Sequence, residues 1–233
     1  MTEPVSASPI EEPALDRPLI AILDYGIGNI HSAQKALEHV GADARLTRDP
    51  GLIADAVGIV LPGVGAFGRC MDALDEAGLT EMSRDLATDA AIGQGRPFLG
   101  VCVGLQMLFD GSDETPQTPG LGVIGGRVRL LPDGVKRPQM QWNVLNWKPS
   151  TSASVDGDHR AMSAGLSDPA WVYFVHSYWA EPSNPDDVAA TCDYGTEVTA
   201  AVERKNLWAT QFHPEKSAAN GLRILANFVA SCL

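Results

Sequence analysis

Two short apolar runs, VGIVLPG (57–63) and PFLGV (97–101), constrain the fold more than any other part of the chain. Neither alternates apolar with polar residues, so neither suits a strand with one face in water. Each reads as a strand buried on both faces, the pattern of a parallel sheet covered by helices. A third run, LIAIL (19–23), leads into the glycine loop DYGIGN. Helical spacing follows. IHSAQKALEHVG puts Ile30, Ala33, Leu37 and Val40 on one stripe and stops at Gly41. ARL reads as a weak strand, residues 68–92 as helix, and VGLQMLF as the start of another helix. Strands alternating with helices imply an α/β protein.

The second half changes character. GRVRLL, QWNVLNW, WVYFVHSYWA, DVAATCDY, TAAVER and LWATQF read as shorter, partly antiparallel strands. A closing helix carries Leu222, Leu225, Phe228, Val229 and Cys232 on its apolar stripe. The sheet expected is therefore mixed and doubly wound, flanked by helices. Residues 1–18, rich in Pro, Ser and Glu, read as a disordered N-terminal extension. The polar, small-residue stretch 148–169 reads as a surface loop, and 19–233 as a single domain.

Composition narrows the partners. Acidic residues number 29 against 17 basic ones, giving a formal net charge of -12. Such a surface repels phosphate backbones and anionic lipid, so neither nucleic acid nor membrane is an expected partner. No apolar run reaches membrane-spanning length, and the N-terminus lacks the basic start and apolar segment of a signal peptide. The four cysteines form no CxxC, and the five histidines are dispersed. No metal site or disulfide framework is expected, and a reduced, cytoplasmic location fits.

One cysteine stands apart. In GVCVG, Cys102 lies between Gly100 and Gly104 at the end of a buried strand. A buried cysteine often serves only as a small apolar residue. Small neighbours on both sides are also what a nucleophile needs on a tight strand-to-helix turn, as in the G-x-S-x-G elbow of hydrolases. Such a turn sets the sulfur at the positive end of the next helix and leaves the Val103 N–H to face an oxyanion. A thiol nucleophile wants a base, and the base an orienting group. FHPEKS supplies His213 and Glu215, two residues apart on a segment expected to be extended, with Pro214 restricting the backbone. A helix N-terminus would account for Pro214 and Glu215, but not for His213. LPGVGAF (61–67) follows a buried strand, and its glycine-rich amides are suited to a second oxyanion donor.

GVCVGLQ, PGVGAF and FHPEKS together resemble the class I glutamine amidotransferases, a Cys-His-Glu glutaminase family of flavodoxin-like architecture. DYGIGNI, PQMQWN and YFVHSY narrow the resemblance to the glutaminase subunits of imidazole glycerol phosphate synthase. It runs from about Leu19 to the C-terminus. The resemblance implies hydrolysis of L-glutamine through a cysteine thioester, without a cofactor. Cys102 is then the nucleophile, His213 the base and Glu215 its orienting group, with oxyanion donors from Val103 and from Val64 or Gly65. Gly63, Gln106, Glu114, His176, Ser177 and Tyr178 are the implied substrate-binding residues. The implied partner is a (β/α)₈-barrel cyclase subunit in a heterodimer, met through Asn29, Trp142 and Lys216. One position departs from the pattern: Gln141 stands where Gly is expected before Trp142.

Other readings separate on particular residues. Glutaminases of anthranilate and aminodeoxychorismate synthases carry His three residues after the cysteine, where this chain has Leu105. A catalytically silent subunit has no chemical need for Cys102, His213 and Glu215 together. A cysteine peptidase has no use for a carboxylate such as Glu114 at an ammonium site, because the α-amino group of a peptide is acylated.

Overall fold

The computed structural model describes residues 17–148 and 162–233. Most of the expected N-terminal extension, and residues 149–161 of the expected surface loop, lie outside the described residues. In the first half the strands are β1 (Leu19–Leu23), β2 (Asp43–Thr47), β3 (Gly58–Gly63), β4 (Phe98–Cys102) and β5 (Gly111–Ser112). Then come β6 (Gly126–Leu130), β7 (Gln139–Val144), β8 (Asn146–Trp147), β9 (Trp171–His176) and β10 (Tyr178–Pro182). The last three are β11 (Val188–Asp193), β12 (Glu197–Arg204) and β13 (Leu207–Thr210). The helices are α1 (Ile30–His39), α2 (Pro50–Asp55), α3 (Phe67–Glu76), α4 (Thr80–Ala91), α5 (Val103–Met107) and α6 (Ala218–Ser231).

Eight strands form the main sheet in the order β2-β1-β3-β4-β13-β12-β11-β8. The neighbours from β2 to β13 are parallel. Those from β13 to β8 are antiparallel. The first four positions follow the flavodoxin-like order, whose ligand crevice opens at the carboxyl ends of the strands. The expected mixed, doubly wound sheet is the architecture found. β3 and β4 are buried along their whole length, as their unbroken apolar runs require. Phe67, Phe98, Phe109, Phe174, Phe212 and Phe228 are fully buried in the core. Each contributes roughly 1.5–3 kcal/mol relative to exposure. The smaller β10-β6-β5 sheet and the antiparallel β7–β9 ribbon carry the remaining strands.

Two local readings change, and one short helix escaped the sequence reading. Residues 68–92 are two helices, because the chain turns between α3 and α4 with Gly78 at a φ of +68°. α2 has too few residues to show a helical period. It is set by Asp49, whose side chain accepts from the Leu52 N–H at 2.9 Å, and by Pro50 in its first turn. Arg96 reaches the carbonyls of Ile53 and Ala54 at 2.8 Å and ties off its other end. Glu215 lies in a 3₁₀ turn, Pro214–Lys216, rather than on extended chain, because Pro214 starts the turn directly after the extended His213.

The β3–β4 register pairs Gly63 with Cys102. At that end the two backbones and α5 meet without room for side chains. A Cβ on Gly104 would overlap the Leu61 carbonyl oxygen, and one on Gly63 would sit 2.7 Å from the Gly104 nitrogen. Gly104→Ala is therefore expected to lower unfolding free energy by about 1–3 kcal/mol or more. Urea denaturation checks this, and wild-type stability in the variant would contradict it.

Candidate active site

The close approach of β3, β4 and α5 fixes the backbone of Cys102. It stands at φ 56° and ψ -111°, a left-handed conformation that a non-glycine residue adopts at a cost of about 1–3 kcal/mol. The strained turn lifts the side chain out at the carboxyl end of the sheet. The two glycines that flank it in the sequence are thus explained sterically. A Cβ on Gly100 would come within 3.0 Å of the Gly104 carbonyl oxygen.

The partner residues arrive from the next strand. β13 lies parallel to β4 with Thr210 opposite Val101, so the chain three residues further on passes beside Cys102. There His213 is clamped from three directions. Its N–H donates to the Tyr173 carbonyl at 3.1 Å, and its own carbonyl accepts from the Ser217 hydroxyl at 2.6 Å. Ser217 in turn accepts from the Tyr173 N–H at 3.0 Å. The ring Nδ1 meets Glu215 Oε1 at 2.8 Å, with both side chains almost fully buried. Burial opposes charge on this ring, but the Cys102 and Glu215 side chains outweigh it and raise His213 to about 9.

Cys102 and His213 open onto a pocket of about 450 Å³. Val64, Gly65 and Val103 line it beside the sulfur. Among the described residues, neither the Val64 nor the Gly65 N–H has a hydrogen-bond acceptor, and Val103 opens α5, where N–H groups lack intrahelical partners. Glu114 lines the same pocket. One of its oxygens accepts from the Phe67 N–H at the start of α3 at 2.7 Å, which leaves the other to face a cation. Gln106 is buried, and its amide donates to the Tyr178 carbonyl at 3.0 Å and to Gln211 Oε1 at 3.1 Å. With both N–H bonds engaged, Gln106 offers the pocket only its carbonyl oxygen, an acceptor.

His176, Ser177 and Tyr178 also line this pocket, where the chain passes from β9 to β10. Burial lowers His176 to about 4, so its ring is neutral near pH 7. Its Nδ1 pairs with the Tyr178 carbonyl at 2.9 Å and so carries the hydrogen. Nε2 is then a bare acceptor, buried and without a partner among the described residues. Gly63, expected among the substrate-binding residues, lies elsewhere. It ends β3 buried against Val103 and Gly104, and it lines a narrow crevice with Val64, His213 and Glu215. Its part is to let the backbones close.

Asn29 and Lys216, the expected interface residues, are exposed at the pocket rim. Trp142 is outside the pocket, 44% exposed on the β7–β9 ribbon and edge-on to Tyr173. Met140 and Trp171 are exposed on the same ribbon, and the pairings Met140–Val175, Trp142–Tyr173 and Val144–Trp171 place an apolar stripe on one face. Gln141, on the same ribbon, is exposed. One residue escaped the sequence reading. Gln211 is fully buried and directs its amide at Cys102 Sγ from 3.8 Å while accepting from Gln106. Its place two residues before His213, at the end of a buried strand, was the available signal.

A thiol on a strained elbow, a buried His–Glu pair and a flavodoxin-like sheet define a class of enzyme. Residues 21–232 match the family described as glutamine amidotransferase class-I. A solved structure described as a glutamine amidotransferase superposes with a TM-score of 0.67 at 19% identity, covering 91% of this chain and 98% of that one. PurLQS from Thermotoga maritima does so with a TM-score of 0.65 at 18% identity, covering 91% and 97%. Closer in sequence is the imidazole glycerol phosphate synthase subunit HisH of Acinetobacter baylyi. It is 46% identical, covering 90% of this chain and 97% of its own. The subunit HisH of Methanothermobacter thermautotrophicus is 47% identical, covering 91% and 98%. The chain belongs to the class I glutamine amidotransferases and, within them, to the HisH subunits of imidazole glycerol phosphate synthase.

The raised pKa of His213 has a consequence for stability. A group whose folded pKa lies above its unfolded value stabilises the fold fully below the unfolded value and loses that contribution as pH rises through the folded one. For His213 the window runs from about 6.5 to about 9. Wild type is expected to lose stability across that window relative to His213→Asn, as read by urea unfolding at stepped pH. Parallel profiles would contradict the assignment.

Proposed function

We propose that Cys102 attacks the side-chain carboxamide of L-glutamine, with His213 and Glu215 completing the catalytic machinery. His213 faces the sulfur with its proton in place as the C–S bond forms, and the carboxamide oxygen takes up the negative charge. The N–H groups of Val103 and of Val64 or Gly65 hold that oxyanion. Its collapse breaks the C–N bond, and the imidazolium gives its proton to the leaving ammonia. Water, deprotonated by His213, then hydrolyses the γ-glutamyl thioester to glutamate and frees the thiol. Glu215 keeps the ring oriented and its charged form favoured throughout.

Glu114 receives the α-ammonium of the substrate, and Gln106, as an acceptor, supports the same end. His176, Ser177 and Tyr178 close the pocket around the rest of the amino acid. The observation that carries this reading is the 2.8 Å His213–Glu215 pair beside Cys102, in a pocket that Glu114 also lines. The unit that does this work is a single domain of residues 19–233, in the cytoplasm. Its ammonia passes to a barrel-shaped cyclase subunit for imidazole glycerol phosphate formation in histidine biosynthesis. The exposed apolar stripe around Trp142, with Asn29 and Lys216 at the rim beside it, supports that face as the docking surface.

Two substitutions test the roles. Cys102→Ser is expected to lower glutamate release by at least about a thousandfold, since a serine hydroxyl is a far weaker nucleophile at neutral pH. Partner binding should persist, and near-wild-type release would remove Cys102 as nucleophile. Glu114→Ala is expected to raise the KM for glutamine roughly 10- to 100-fold through loss of a charge-assisted contact. Steady-state kinetics separates this from a fall in kcat at saturating glutamine with KM unchanged, which would contradict the binding role.

A further inference from the structure

The turn after β3 is held from behind by two buried side chains that the reaction itself does not use. The Tyr25 hydroxyl, from the loop after β1, donates to the Pro62 carbonyl. The Cys70 thiol, from the first turn of α3, donates to the Val64 carbonyl at 3.3 Å. Both residues are buried, Tyr25 to 5% exposure and Cys70 to 0%. Burial, reinforced by neighbouring acidic groups, pushes Cys70 up to about 11 and Tyr25 well above its usual value. Both groups therefore stay protonated and able to donate.

The two acceptors flank Gly63 and belong to the peptide units Pro62–Gly63 and Val64–Gly65. In a planar trans peptide the N–H points opposite to the C=O. Holding the Val64 carbonyl toward buried Cys70 therefore turns the Gly65 N–H away from the core. Little else fixes that plane. Gly65 stands at φ +88° with open space where a Cβ would be, and its N–H has no acceptor among the described residues. A peptide next to such a glycine rotates easily unless its carbonyl is anchored.

We infer that Cys70 and Tyr25 are positioning residues for the oxyanion loop, setting its peptide planes by gripping the Val64 and Pro62 carbonyls. This rests on the proposal that Cys102 forms a tetrahedral intermediate with glutamine. The sulfur of Cys70 forms no bond to substrate. Its part is to keep a backbone donor aimed before charge develops, which is how preorganised donors lower a barrier.

The test compares Cys70→Ala, Cys70→Ser and Tyr25→Phe in the assembled synthase. Cys70→Ala is expected to lower kcat for glutamate release about tenfold or more, the effect of a misaimed oxyanion donor, with the KM for glutamine unchanged. Cys70→Ser keeps an O–H aimed at the same carbonyl and should restore most of kcat. Tyr25→Phe removes one oxygen, leaves the ring in place, and should lower kcat in the same manner, which carries the test should Cys70→Ala fail to fold. Alkylation of Cys102 by iodoacetamide, followed by peptide mass spectrometry, supplies a control because displacement at a saturated carbon builds no oxyanion. Its rate should match wild type in all three variants. Wild-type kcat in Cys70→Ala and Tyr25→Phe would overturn the inference. So would a Cys70→Ser no better than Cys70→Ala, or an alkylation rate that falls in step with kcat. A wild-type complex that alkylates at Cys102 yet releases no glutamate would overturn the glutaminase mechanism, and the inference with it.

Discussion

The approach of three backbones at one end of the sheet is the constraint on which the rest of the site depends. β3, β4 and the first turn of α5 come so close that Gly63 and Gly104 have no space for side chains and Gly100 has little. The chain between them has one way through, and it forces Cys102 to a positive φ. Roughly 1–3 kcal/mol of local strain is sustained because fully buried strands on either side fix the geometry. In return the nucleophile is set by backbone rather than by rotamer choice, and the Val64 and Gly65 N–H groups beside it have no acceptor among the described residues.

The parallel sheet then gathers the other groups. In this strand order the loops after β1, β3, β4 and β13 all emerge at the carboxyl edge, and they bring Asn29, Val64, Cys102 and His213 to one pocket. A second layer holds these residues in place. Ser217 and Tyr173 grip the His213 backbone, Gln211 links Gln106 to the sulfur, and α6 packs against the Pro214 carbonyl at Gly221. The two histidines show how environment divides one residue type. His213, beside a carboxylate and a thiol, holds its proton, whereas His176, buried without a charge partner, is neutral. The first moves protons in the proposed reaction, and the second keeps a buried Nε2 without a partner among the described residues.

Much of this was legible in the sequence for a physical reason. Unbroken apolar runs announce strands buried on both faces, and glycines around a cysteine announce a close backbone approach. A histidine whose position a helix start does not explain announces a role for its ring. The parts that escaped depend on contacts between distant segments. Gln211 is an ordinary glutamine until Gln106 and Cys102 are brought to it. Gly63 reads as a ligand-facing glycine in PGVG, and its close approach to Val103 and Gly104 shows only once the strands are paired. Gly78 divides one apolar period into two helices without interrupting the pattern. Cys70 belongs to no motif, and Tyr25 sits in DYGIGNI with nothing there to mark its hydroxyl, because their acceptors are carbonyls on another loop.

The most direct test is to mix the assembled synthase with glutamine, quench in acid and locate any glutamyl adduct by peptide mass spectrometry. The strained elbow and its His213–Glu215 partner predict a γ-glutamyl thioester on Cys102 alone, absent in Cys102→Ser. Steady glutamate release with the adduct on another residue, or undiminished release by Cys102→Ser, would contradict the account.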